Sequence, residues 1–220
     1  MQDKTTVIVD WNKFYKLFTM PSHLHPDNLK YLNKVKNDFR REFEIRGKIT
    51  LENYYQPGYV TDDLLERIQK AHSTKDNLPF YNVLSIAHRA TLATLADDLL
   101  KTMAVILMAQ DETFFKGSSL QSYIYKEGAL QPADPISVLR TKPFRGNGHN
   151  VFIATICNSD PSRITIIAGK ALSYFSNNVY HCGEDEATLE ENSLVVFCEY
   201  NPDLMLFVLP IFGKKKEVLT

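Results

Sequence analysis

The sequence predicts an α+β protein: a helical N-terminal part packed on an antiparallel C-terminal sheet built from two β-hairpins. Three observations carry that expectation. Apolar residues recur at helical spacing through the first half of the chain. From Asn150 onward the pattern changes to two pairs of apolar runs, each pair joined by turn residues. Between these halves lies a stretch rich in proline and glycine. The expected division is 1–116 for a mainly helical part, 117–149 for an irregular connector and 150–220 for an antiparallel β part, within one continuous globular unit.

The first helix is expected from Asp10 to Phe18, with Trp11, Phe14, Tyr15 and Phe18 on one face. It stops before Met20-Pro21-Ser22. The second opens at His25-Pro26-Asp27, where proline suits a first turn and Asp27 meets the positive helix end. Leu29, Leu32, Val35, Phe39 and Phe43 form its apolar stripe, and Gly47 is placed as a left-handed cap. Leu51 to Val60 reads as an aromatic loop, followed by a short helix capped by Thr61. Pro79 opens a long helical region reaching Gln110. Its segment from Leu99 to Ala109 is apolar nearly all round, which suits a helix packed on several sides. A buried strand over Ala104 to Met108 is the alternative, since periodicity alone does not separate the two.

In the connector, Gln121 to Lys126 is expected as a short strand. The first hairpin runs from Asn150 to Asn158 and returns over Arg163 to Lys170, across Ser159-Asp160-Pro161-Ser162. The second runs from Ser193 to Tyr200 and returns over Leu204 to Phe212, across Asn201-Pro202-Asp203. Ala171 to Tyr180 is a further strand or a short helix, and Glu184 to Glu191 a short acidic helix. The hairpin strands are apolar on both faces, so the sheet is expected to be covered on both sides.

Bulk properties narrow the function. Hydrophobic residues make up 44% and charged residues 23% of the chain, which opposes extended disorder. A formal net charge of −1 opposes a protein whose main task is neutralising a nucleic-acid backbone. The most apolar run, Met103 to Ala109, falls far short of the roughly 20 residues a membrane-spanning helix needs. The N-terminus shows no basic start followed by an apolar stretch, so a cytoplasmic location, in its own or a host cell, is expected. Cys157, Cys182 and Cys198 are an odd number without a Cys-x-x-Cys pair, so neither a disulfide framework nor a structural metal is expected. No cofactor loop is present in the sequence, and no cofactor is expected.

Five groups of residues bear on chemistry. His149 opens a strand, and Cys182 precedes Gly183-Glu184-Asp185-Glu186, a run suited to starting a helix. A thiol at a helix N-terminus has its thiolate stabilised, and a nearby imidazole can take its proton. This layout resembles that of circularly permuted papain-like hydrolases, in which the histidine precedes the cysteine. The resemblance implies Cys182 as nucleophile, His149 as base and Asp160 or Asn147 orienting the imidazole. The acidic cluster beside Cys182 works against it, because neighbouring carboxylates raise a thiol pKa.

The loop from Arg140 to His149 carries Arg140, Lys142 and Arg145 with Phe144 and two glycines, a set suited to phosphate or single-stranded nucleic acid. It also reads as a solvated connector. The stretch from His181 to Asp203 holds seven carboxylates and no lysine or arginine. Glu184, Asp185 and Glu186 suit an ionic docking surface for a basic partner better than a metal site. His23-Leu24-His25 would share a face in a strand, but the better reading is the loop leading into a helix. Most aromatic residues of the first third belong to a core. The exception is the loop holding Tyr54, Tyr55 and Tyr59, whose tyrosines suit an interface.

Weighed together, these features favour a non-enzymatic interaction or assembly protein, a subunit of a larger complex, with a viral origin in view. The expected partner is another protein or a second copy of the chain, with no membrane contact. The alternatives are a papain-like hydrolase or acyltransferase using Cys182 and His149, and a nucleic-acid-binding module using the loop 140–149.

Overall fold

A computed structural model describes residues 7–19, 24–53, 86–108, 119–132, 151–158, 160, 163–183, 189–191, 193–200 and 208–213 of the 220-residue chain. The tyrosine loop 54–59, the basic loop 140–149 with His149, the acidic run 184–186 and the returning segment 204–207 lie outside the described residues.

Strand β1 (Ile8–Asp10) leads straight into helix α1 (Trp11–Phe18). Asp10 caps that helix, its carboxylate accepting the Lys13 N–H at 2.9 Å. Trp11, Phe14 and Leu17 are buried, while Tyr15 and Phe18 are partly so. Helix α2 (Pro26–Ile45) starts on the His25 cap and ends where Gly47 turns left-handed at φ +62°, its N–H donating to the Glu42 carbonyl. The expected stripe holds for Leu32, Val35, Phe39 and Phe43 but not for Leu29, which is 48% exposed. Within α2, the buried Asp38 pairs with Lys34 and Arg41, and the buried Glu42 with Arg41 and Arg46. Such carboxylates survive burial because each has two cationic partners.

Helix α3 (Ile86–Met108) settles the segment read as helix or buried strand: it is helix, and Leu99, Leu100, Met103, Ala104, Ile106 and Leu107 are all buried. Among the described residues no helix is long and apolar enough to cross a membrane.

The strands correct the expected architecture. Besides β1, they are β2 (Lys48–Glu52), β3 (Ser119–Lys126), β4 (Ala129–Pro132), β5 (Val151–Cys157), β6 (Arg163–Ala168) and β7 (Leu194–Glu199). All join one mixed sheet in the order β1-β2-β6-β5-β7-β3-β4. The pair β1·β2 is parallel and the other five pairs are antiparallel. The N-terminal part is therefore not a helical layer alone, since it supplies two strands and β2 pairs with β6. The first expected hairpin is present as β5–β6. The second is not the pairing that holds β7, which is flanked by β5 on one side and β3 on the other, leaving no edge for a returning strand. An apolar run followed by Asn-Pro-Asp looks like a hairpin half, but about a third of sequential strands take their partners from elsewhere in the chain. The short β3–β4 hairpin turns on Glu127 and Gly128, both at positive φ.

Side chains alternate across the sheet. One face carries Ile49, Leu51, Ile153, Ile164, Ile166, Leu194, Val196 and Cys198, which form a single core with α1, α2 and α3. The other carries Ala154, Ile156, Ile167, Val195, Phe197 and Tyr123 in a second cluster with Leu130 and Val151. Every residue of β5 is buried, as expected for a strand covered on both faces. Helix α4 (Lys170–Phe175) resolves the strand-or-helix alternative after β6 in favour of helix.

Candidate functional site

A cavity of about 330 Å³ opens on the face of the sheet turned away from α1–α3. Its floor follows from strand register. Ile8 pairs with Thr50, Thr50 with Thr165 and Thr165 with Ile156, so one residue from each of β1, β2, β6 and β5 forms a row across the sheet. Alternation puts all four on the same face. Two residues further along, Asn158 and Arg163 rise from the ends of β5 and β6, and Asp160 comes from the turn joining them. Glu190 also lines the cavity.

The rim is fixed by polar contacts. The Ser193 hydroxyl donates to the Asn158 amide oxygen at 2.6 Å and accepts the Glu190 N–H at 2.9 Å. The Ser193 N–H donates to the Glu190 carbonyl at 3.0 Å. Ser193 is fully buried, so the segment carrying Glu190 is clamped to the hairpin turn. Arg163 Nε lies 3.8 Å from the Asp160 carboxylate, with both side chains about half exposed. Among the described residues the site thus offers one guanidinium, two carboxylates, one amide and two hydroxyls beside aliphatic side chains.

Of the residues expected for a hydrolase, only Asp160 and Cys182 are among those described, and they lie at opposite ends of β6; His149 and Asn147 lie outside the described residues. The Gly183 N–H donates to the Ala168 carbonyl at 3.0 Å, which seats Cys182 beside the far end of β6. Asp160 precedes the near end, and the strand between them spans about 17 Å at the usual rise per residue. Residues 181–183 lie outside any helix, with the His181 N–H donating to the Phe43 carbonyl at 2.7 Å. Asp160 lines the cavity instead of orienting an imidazole at Cys182. His25 is a helix cap: its Nδ1 accepts the Asp27 N–H at 3.4 Å. Among the described residues no three His, Cys, Asp or Glu side chains come close enough to hold a metal.

The thiols also differ sharply. Cys157 and Cys198 are buried and Cys182 is half-buried. Burial pushes the Cys198 thiol pKa well up, with the Asp97 charge adding to the effect. A thiol reagent at neutral pH is therefore expected to label Cys182 alone in the native protein and all three cysteines after unfolding. Cys182→Ser should abolish native labelling; rapid native modification of Cys157 or Cys198 would contradict this burial.

Sequence reasoning missed the cavity because its floor residues, Ile8, Thr50, Ile156 and Thr165, come from four strands and form no motif. The available signal was local: Lys48-Ile49-Thr50-Leu51-Glu52 alternates as a strand should, and so does Arg163-Ile164-Thr165.

No protein-family model matches the chain, and no curated protein matches it in sequence. Solved structures do. The chain is similar to dioxygenase for auxin oxidation 1 from Arabidopsis thaliana, solved as a binary complex with 2-oxoglutarate, with 14% identity over 82% of this chain and 94% of that one, at a TM-score of 0.52. It is similar to a 2OG-Fe(II) oxygenase family protein from Caulobacter crescentus, with 12% identity over 93% and 90% of the two chains and a TM-score of 0.52. The fold is that of these oxygenases, a jelly-roll type of sheet with flanking helices, in place of helices packed on two hairpins. It also overturns the expectation of a non-enzymatic, structural or viral assembly protein. That expectation leaned on the absence of a motif, whereas the two solved structures that share this fold are oxygenases.

Proposed function

We propose that this chain is an enzyme of the 2-oxoglutarate and iron(II) oxygenase type. The observation that carries the reading is the fold shared with two such proteins over more than four-fifths of the chain. The cavity supports it, being a small polar site on the face of the sheet not covered by helices α1–α3, where a substrate has room.

Iron in such enzymes is held by two imidazoles and one carboxylate, leaving open positions for reactants. The described residues do not fit that donor set. His25 caps α2 at the surface, His181 sits beside Phe43, and the cavity lining holds carboxylates but no imidazole. The reading therefore requires that two of the remaining imidazoles, His23, His72, His88 and His149, supply the metal ligands. This chain's own contribution at the cavity is binding and orientation: Arg163 can take an anionic group in two parallel hydrogen bonds, and the clamped rim holds Asn158 and Glu190 in place.

The test is oxygen uptake by the purified chain with Fe(II) and 2-oxoglutarate. Uptake that needs both, and stops on adding a chelator, is the expected result. No uptake above the protein-free control across a broad substrate panel would overturn the reading. An odd number of cysteines without a Cys-x-x-Cys pair suits a reducing compartment, which supports a cytoplasmic location for the enzyme, in its own or a host cell. Tyr54, Tyr55 and Tyr59 in one segment and Glu184, Asp185 and Glu186 in another are the proposed contact residues for any protein partner of that enzyme.

A further inference from the structure

We draw no further inference here: the strongest candidate, the exposed cationic stripe of Lys30, Lys34 and Arg41 along α2, has Lys34 and Arg41 already paired with the buried Asp38, and nothing in the structure shows what covers it.

Discussion

Gly47→Ala is expected to destabilise the protein by about 3 kcal/mol or more, enough to remove much of a typical domain's stability. Two costs add. Gly47 sits at φ +62°, where an L side chain is strained by roughly 1 kcal/mol. The larger cost is space. A Cβ would run into the His181 carbonyl oxygen, lie 2.5 Å from the Gly183 nitrogen and 2.9 Å from the Cys182 carbonyl carbon. All three are backbone atoms, which cannot swing aside as a side chain would. They belong to a knot of main-chain bonds in which Ala168 N–H donates to Gly47 O at 2.6 Å, Gly183 N–H to Ala168 O at 3.0 Å and His181 N–H to Phe43 O at 2.7 Å. Opening that knot loosens the end of α2, the end of β6 and the 181–183 segment together. Gly128→Ala is the matched control: it has φ +78° but nothing within 4 Å of its Cβ, so only the backbone strain remains. Urea unfolding of both variants checks the difference. Equal losses would mean that the close approach around Gly47 is wrong.

Phe39→Ala is expected to cost about 3–5 kcal/mol, the usual range for emptying a buried aromatic site. Phe39 is fully buried between Phe14, with ring centroids 5.7 Å apart, and Phe43, at 6.3 Å. It is where α1 and α2 meet above the sheet, in the same core as Ile49, Leu51 and Ile164. The helices have no other means of closing the gap, because Trp11 and Phe14 already fill their own places. Phe39→Leu keeps most of the volume and should cost under about 1.5 kcal/mol. Chemical denaturation measures both. A loss below 1 kcal/mol for the alanine variant would contradict the packing of α1 and α2 on the sheet.

What could be read from the sequence was whatever is decided locally. The caps and stripes of α1 and α2 are written in Asp10, His25-Pro26-Asp27, Phe39, Phe43 and Gly47, and the β5–β6 hairpin in its turn residues. The pairing of β7 with β3 and β5 was not, because an apolar strand such as Leu194-Val195-Val196-Phe197-Cys198 carries no label for its neighbour. Strand β1 is three residues long, too short to show a period. In sequence Leu51 and Glu52 group with the tyrosines that follow them, whereas in the fold they continue the strand of Ile49 and Thr50. The role of Gly47 was half legible: its cap was evident, its contact with 181–183 was not. For the site, the sequence offers Asp160 as a partner for an imidazole near Cys182, whereas the β5–β6 turn sets it beside Arg163. The fold shared with the oxygenases was beyond reach because, at 12–14% identity, it resides in strand order and not in residues.

Dioxygen consumption decides whether the proposed oxygenase activity is present. Purified chain, supplied with Fe(II), 2-oxoglutarate and a broad substrate panel, should take up oxygen only when both additions are present, and a histidine-to-alanine scan over His23, His72, His88 and His149 should silence uptake at two of the four. Uptake indistinguishable from the protein-free control, or uptake untouched by every one of those variants, would contradict it.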